Sequence, residues 1–361
     1  MNQLTTSQTT ENSHASNSNM GIRKRVTILI PAYNEEENIP HLIEELERIA
    51  MQISEQEIGI SVEWEYMFVN DGSTDRTLDR IIEQRDRNPR INIVNLSRNF
   101  GKENAMLAGM DYATGDAVII MDADLQDPVD IIPEMLYWWQ QGYDDVYGRR
   151  HNRGKESWIR KQLSLLFYRL LQGTTRIEIL QNVGDFRLLD RRVVEAIRSL
   201  RETQRYTKGL YSWVGFKKKE IIFDREDRKE GQSSFDIKQL FNLAVDGITC
   251  FTTSPLRISS VVGFIVSLSA LIYLIVVLFK TIIWGEPVRG FPTILCAILL
   301  LGGVQLIALG IIGEYISRIY NETKMRPPYI VDDFNGNKAA YCNKGKRTNN
   351  DIPGKDDSEI K

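Results

Sequence analysis

Cysteine is scarce. The three in 361 residues, Cys250, Cys296 and Cys342, follow no metal or disulfide spacing, which leaves them packing as a role. Net charge is slight as well: at −3 it argues against a nucleic-acid partner and against an extended acidic tail. No internal repeat is present. No G-x-G-x-x-G follows the first apolar strand, which runs instead into PAYNEE, so a dinucleotide oxidoreductase is set aside. The opening MNQLTTSQTTENSHASNSNM has neither a basic start nor an apolar core. It is therefore no secretory signal, and the bulk of the chain beyond it is expected to stay in the cytoplasm. Residues 1–21 are too polar to offset their ordering entropy and read as a disordered tail.

Charge is also missing from two stretches near the other end. Residues 258–279, ISSVVGFIVSLSALIYLIVVLF, and 291–313, FPTILCAILLLGGVQLIALGIIG, hold no Asp, Glu, Lys or Arg. At about 1.5 Å per residue the first reaches roughly 33 Å, enough for a hydrocarbon core of about 30 Å. Neither run has a polar stripe, which argues against a buried hairpin in a soluble core. Two transmembrane helices are expected. Trp284 in the connector suits an interface, while Arg257, Arg318, Lys324 and Arg326 flank the other ends. That basic excess places both termini in the cytoplasm, in a multi-pass protein of the cell membrane. Residues 234–253 read as an amphipathic helix at the membrane surface. Gly302, Gly303, Gly310 and Gly313 allow close helix contact, between the two spans of one chain or between copies in a homo-oligomer.

Between Gly21 and about Arg150 the pattern is βαβ. RVTILIPAY is a continuous apolar strand, and NIPHLIEELERIA then sets Ile39, Ile43, Leu46 and Ala50 on one helical face. EYMFVND, INIVNLS and DAVIIMDAD are further strands, TDRTLDRIIEQRDR and KENAMLAGMDYATG further helices, and PVDIIPEMLYWWQQG a helix that starts at Pro128. Such alternation predicts a mainly parallel sheet with helices on both faces, and ligands at the carboxyl ends of its strands. Past Asp144 the rhythm loosens into a strand DDVYGRR, a long amphipathic helix KESWIRKQLSLLFYRLLQ and a short strand GDFRLLD.

Acids gather at those carboxyl ends: PAYNEEENI at 31–39, VNDGSTD at 69–75 and DADLQD at 122–127. Each alone passes for turn chemistry. On the first, second and fourth strands of one sheet they converge. Asp122 and Asp124 repel each other until something positive arrives, and a hard divalent cation suits two carboxylates that leave room for phosphate oxygens. Such an ion neutralises a diphosphate leaving group.

Together these motifs resemble the inverting nucleotide-sugar glycosyltransferases of family 2, with the α/β, Rossmann-like GT-A fold. RNFGKENAMLAG, GRR, GDFRL and the two apolar runs narrow the resemblance to the polyprenyl-phosphate glycosyltransferases, which include bactoprenol glucosyltransferases and dolichol-phosphate mannose synthases. It covers about residues 22–330. The division it implies is a GT-A catalytic domain at 22–232, an interfacial helix at 233–256, two spans at 257–316 and a cytoplasmic C-terminal tail at 317–361. It implies a nucleotide-sugar site of Pro31, Ala32, Tyr33, Glu35, Asp71, Lys102 and Ala123, with Mg²⁺ or Mn²⁺ on Asp122, Asp124 and Gln126. Lys102 would meet a phosphate or the ribose, or else stand exposed at a helix head. Where the family has two acids before the glycine, position 70 is Asn70.

The acceptor must be an anion beside the membrane. By resemblance Arg150, Arg160 and Ser164 hold a polyprenyl phosphate; Arg160 and Ser164 lie four apart on one helical face, so both can reach one phosphate. Non-specific attraction to lipid headgroups is the alternative. Asp185 in GDFRL is the family's catalytic aspartate. A phosphate monoester is mostly dianionic at pH 7 and needs no base, so Asp185 would instead orient a sugar hydroxyl or stabilise charge at the anomeric carbon. RKEGQSSF at 228–235 is either a loop that closes over the donor or a plain connector.

The function expected is inverting transfer of one sugar, glucose, from a UDP-linked donor to undecaprenyl or another polyprenyl phosphate at the cytoplasmic face. The product would be flipped by a partner and used by a downstream transferase in envelope glycosylation. A processive polysaccharide synthase of the same fold would need a QxxRW segment, which the sequence lacks. A catalytically idle membrane scaffold would have no use for the acid pair.

Overall fold

The computed structural model describes residues 23–53, 60–150, 183–203, 205–223 and 290–338, with scattered positions between 259 and 283. The polar N-terminal tail, the helices expected at 155–172 and 234–253 and the 228–235 loop lie outside the described residues.

The first strand, β1 (Arg23–Ala32), is apolar on both faces because it is central. Val26, Ile28 and Ile30 join one core cluster, and Leu29 between them joins the other. Helix α1 (Asn38–Gln52) closes the first face with Ile39, Leu42 and Leu46. Strand β2 (Ser61–Asn70), helix α2 (Thr77–Arg85) and strand β3 (Ile91–Leu96) come next. Helix α3 (Lys102–Tyr112) covers the second face with Ala105, Met106 and Ala108. It can approach β1 closely because residue 109 is glycine: a Cβ there would stand 1.9 Å from Leu29 Cδ1. After β4 (Ala117–Ile120), a turn of 3₁₀ helix from Val129 leads into α4 (Ile132–Gln140), whose Ile132, Met135 and Leu136 return to the first face.

Then come β5 (Asp145–Arg150), β6 (Val183–Asp190), α5 (Arg191–Ser199), α6 (Thr207–Trp213) and β7 (Lys218–Phe223). Among the described residues the sheet order is β7-β5-β6-β4-β1-β2-β3-β8-β9. The expectation of helices on both faces holds. The expectation of a mainly parallel sheet does not: β4-β1-β2-β3 are parallel, but β6 runs antiparallel between β4 and β5. Strand periodicity carries no direction, so the sequence pattern could not show this. The reversal matters for the site. Ile120, the last residue of β4, pairs with Arg187 in the middle of β6, so Asp185, two residues earlier on the antiparallel strand, lies beside the end of β4 from which Asp122 emerges.

The described positions between 259 and 283 are helical, and α7 (Phe291–Thr323) is a single 33-residue helix. Among the described residues no helix is long and apolar enough to cross a membrane; part of the first uncharged run and several side chains of the second fall outside them. Past α7 the chain returns to the domain. Thr203 donates from its backbone N–H to Glu322 at 2.8 Å, and Tyr329 donates its hydroxyl to Asp111. Residues 331–338, which the sequence reading places in a tail, form β8 (Val331–Phe334) and β9 (Asn337–Lys338). Strand β8 pairs antiparallel with the β3 edge.

Candidate active site

A cleft of about 250 Å³ opens at the carboxyl ends of β1, β2 and β4. Pro31, Ala32, Tyr33, Glu35, Asp71, Lys102, Asp122, Ala123 and Asp124 line it. The seven residues named from the sequence for the nucleotide-sugar are thus gathered in one place with Asp122 and Asp124; Gln126 does not line the cleft. Asn99, Gly101 and Ala105 also line it; the signal for them was the RNFGKENA run itself, of which only Lys102 was singled out.

Lys102 stands between two acids. Its Nζ is 2.5 Å from Asp122 Oδ1 and 2.6 Å from Asp185 Oδ2. Burial alone would lower the lysine's pKa, but the carboxylates of Asp185 and Asp122 push it up. Burial likewise works to raise Asp185, and Lys102, Lys208 and Arg187 together hold it below the ordinary carboxylate range. Asp185 is therefore ionised at neutral pH. Its second oxygen, Oδ1, is buried without a hydrogen-bond partner.

Asp71 spends both oxygens on backbone. It accepts from the Phe100 N–H at 2.7 Å and the Gly101 N–H at 2.9 Å, so it fixes the loop that starts α3. Burial raises its pKa and those two amides pull it back. Gly72 beside it is required: its φ is +65°, and a Cβ would stand 2.4 Å from the Arg98 carbonyl carbon. Glu35 accepts from Asn38 Nδ2 at 2.6 Å. Its pKa is raised, first by burial and then by Asp124, Asp122 and Asp75, which shows how much negative charge meets here.

The DADLQD turn is tight. Leu125 adopts φ +58°, the Gln126 N–H donates to Asp124 Oδ1 at 3.1 Å, and the Asp122 N–H donates to Asp127 Oδ2 at 3.3 Å. Gln126 Oε1 is buried with no hydrogen-bond partner, an arrangement that normally costs about 1–3 kcal/mol. An orphaned amide oxygen beside two carboxylates fits a hard divalent cation, which keeps places for substrate oxygens. Among the described residues no three His, Cys, Asp or Glu side chains are grouped so as to hold a metal ion.

On the acceptor side, Arg149 pairs with Glu220 at 3.1 Å. Arg150 ends β5 with its side chain outside the described residues, and Arg160 and Ser164 lie outside them altogether.

Comparison with known proteins accords with this geometry. Residues 27–198 match the model of glycosyl transferase family 2, and residues 254–319 match that of the GtrB C-terminal hairpin. The chain is 46% identical over 311 residues to the uncharacterized glycosyltransferase sll0501 of Synechocystis sp., covering 86% of this chain and 96% of that protein. It is 42% identical over 307 residues to the prophage bactoprenol glucosyl transferase homolog of Escherichia coli K12, covering 85% and 98%. The bactoprenol glucosyl transferase of Shigella phage SfX matches at 41% over 307 residues, with the same coverage. Among solved structures, the mannosyltransferase PcManGT from Pyrobaculum calidifontis, in complex with GDP-Man and Mn²⁺, is 17% identical with a TM-score of 0.39, over 57% of this chain and 59% of its own. That likeness is too slight to carry the metal across. With relatives this similar along nearly their whole length, and an acidic cleft at the matching strand ends, the chain belongs to glycosyl transferase family 2, as a glycosyltransferase with the GtrB C-terminal hairpin.

Proposed function

We propose that the protein transfers one glucose from UDP-glucose to the phosphate of undecaprenyl or another polyprenyl phosphate at the cytoplasmic membrane face, with inversion at the anomeric carbon. The observation that carries this is Lys102 held between Asp122 and Asp185 at 2.5 and 2.6 Å in a cleft that the PAYNE, DGS and DAD loops share. The relatives named as bactoprenol glucosyl transferases support the acceptor. The hairpin, with its two uncharged runs, supports two membrane spans with the catalytic domain and both termini in the cytoplasm.

Tyr33, 45% exposed at the cleft mouth, offers a ring for the base to stack on. Asp122, Asp124 and the Gln126 amide oxygen would hold Mg²⁺ or Mn²⁺, which when bound neutralises the departing diphosphate. Arg150, Arg160 and Ser164 are assigned the acceptor phosphate. An oxygen of that phosphate attacks the anomeric carbon from the side opposite the donor's diphosphate; the carbon–oxygen bond to the diphosphate breaks, and its electron pair leaves with UDP. Asp185 does not act as a base: its pKa is depressed, whereas an effective base titrates near the working pH, and the acceptor is already ionised. It holds Lys102 toward the diphosphate and places a negative charge beside the sugar as positive charge develops there.

The test is reconstitution. The purified full chain with UDP-glucose, Mn²⁺ and undecaprenyl phosphate should form a singly glucosylated lipid, and Asp124→Ala should slow this about a hundredfold or more. No glycolipid from any of a panel of nucleotide-sugars overturns the proposal. Several sugars per lipid would point to a processive synthase, and donor binding without turnover to a scaffold.

A further inference from the structure

A chain of hydrogen bonds runs from the strand after the hairpin into the donor cleft, and every link points the same way. Asn95 Nδ2 donates to Asp333 Oδ2 at 2.8 Å, and Asn70 Nδ2 donates to Asn95 Oδ1 at 2.8 Å. The Ser73 N–H donates to Asn70 Oδ1 at 3.3 Å, and the Asn34 N–H donates to Ser73 Oγ at 3.1 Å. The two ends fix what lies between. An ionised carboxylate only accepts and a backbone N–H only donates, so neither amide can be turned over without setting like atoms face to face. Asn70 and Asn95 are both buried, so water does not relieve a mismatch there.

At the cleft end the chain meets a backbone under strain. Asn34 has φ +56° and lies between Tyr33 and Glu35, both of which line the cleft. Such a conformation persists only where its surroundings impose it. Three bonds impose it: the one to Ser73, and the Thr74 N–H and hydroxyl donating back to Asn34 Oδ1 at 2.9 and 3.3 Å. The loops at 33–35 and 70–74 therefore stand or shift together, and Asn70 anchors both.

We propose that Asp333 is a positioning residue for donor binding: through Asn95 and Asn70 it sets the 70–74 loop, and with it the 33–35 turn, in the geometry that receives the nucleotide. This rests on the donor site proposed for the cleft. It also gives position 70 a reason to be an amide. An acid there would face Asn95 Oδ1; turning Asn95 over would only move the clash to Asp333. The segment that follows the hairpin thus takes part in the site from about the far side of β3, without touching the donor.

The test reverses the polarity of the chain. UDP binding by the full-length protein is measured calorimetrically with Mn²⁺, with GDP in a parallel arm, beside donor KM, kcat and thermal unfolding. Asn70→Asp is expected to weaken nucleotide binding and raise donor KM about tenfold, as for a buried mismatched hydrogen bond, with kcat little changed. Asp333→Asn keeps an acceptor oxygen toward Asn95 only by turning its new amide nitrogen on the Gly336 N–H, which Asp333 Oδ1 accepts at 3.1 Å, so it should weaken nucleotide binding by about threefold. In the double variant the new amide can donate to Asn95 Oδ1 and Asn95 Nδ2 to the new carboxylate, so affinity should return to within about threefold of wild type, a strongly non-additive result. An Asn70→Asp variant that binds as wild type does, or a double variant as weak as Asn70→Asp alone, overturns the inference while leaving the donor site intact. A wild-type chain that binds neither nucleotide overturns the donor-site reading, and the inference with it.

Discussion

Lys102 and Asp185 remain a charged pair across the working pH range. Asp185 is depressed below its unfolded value, so its contribution to stability is present above that unfolded value and is lost only as pH falls through the folded one. Lys102 is raised above its own, so its contribution is complete below the unfolded value near 10.4 and fades only as pH rises through the folded one. The pair is thus intact from about pH 5 to pH 9. A loss of activity between pH 7 and pH 5 must come from elsewhere: the acceptor's phosphate, with its second pKa near about 6, titrates there, and burial shifts Glu35 and Asp71 of the cleft upward, toward the same range. The acid limb of kcat/KM for the acceptor should therefore fall near about pH 6, and should keep its position in Asp185→Asn although the rate drops. A limb that vanishes with Asp185→Asn would make that residue the base. Gly72 gives a second prediction at this scale. Its φ of +65° and the 2.4 Å approach to the Arg98 backbone leave no room for a methyl group. Gly72→Ala should cost about 2 kcal/mol or more and weaken UDP binding with it, read by denaturant melts and titration.

Among the elements, β6 does most to join fold and site. Arg187 and Asp145 pair at 3.1 Å across β5 and β6 with exposures of 2% and 1%, and the Arg187 guanidinium lies 3.6 Å from the Tyr211 ring centroid. Burial raises the Asp145 pKa, and Arg187 opposes the rise. Arg187→Met should destabilise by about 3–5 kcal/mol, because it leaves a buried carboxylate without its cation, whereas Arg187→Met with Asp145→Leu should recover much of the loss; chemical unfolding of both variants decides. The strand itself was legible in GDFRLLD, its direction was not, and with the direction went the reason Asp185 meets Lys102. Strands β1 to β4 were legible because each is an apolar run ending in turn chemistry. Strand β8 was not: VDDF carries two acids in four residues and looks like solvent-exposed tail. The signal that could have revealed it was Asn335-Gly336, a two-residue hairpin turn in which both residues have positive φ, +53° and +79°. Most residues that line the cleft were legible one by one, Asn99, Gly101 and Ala105 apart, yet the use of Asp71 on backbone amides was hidden, since a sequence shows a carboxylate but not its partner.

For the molecule as a whole, the question is what solvent surrounds α7. Leu306, Ile307 and Leu309 are 73%, 68% and 69% exposed, and Ile294, Ile298, Ile312, Ile316 and Ile319 are also exposed. An apolar surface of that extent marks an interaction with membrane or protein, and the run 291–313 has no charge to mark a watery side. At about 1.5 Å per residue those positions reach roughly 35 Å, a little more than a hydrocarbon core. Beyond them Glu314, Arg318 and Glu322 enter the helix, and Glu322 already binds Thr203 of the catalytic domain. Helix and sheet are therefore joined within a few turns of the point where charge reappears, and a helix seated in a bilayer as proposed would keep the catalytic domain near the membrane surface, where a lipid phosphate lies. Replacing Leu306 and Leu309 by arginine puts two charges in the second half of the run, each costing up to about 2.5–3.5 kcal/mol on insertion scales. The expected result is a chain that no longer floats with vesicles and glucosylates membrane-embedded undecaprenyl phosphate less than about a tenth as fast, while UDP binding in detergent is unchanged. If the variant floats and transfers as the wild type does, α7 lies against protein and not lipid, and the proposed seating on the membrane is wrong.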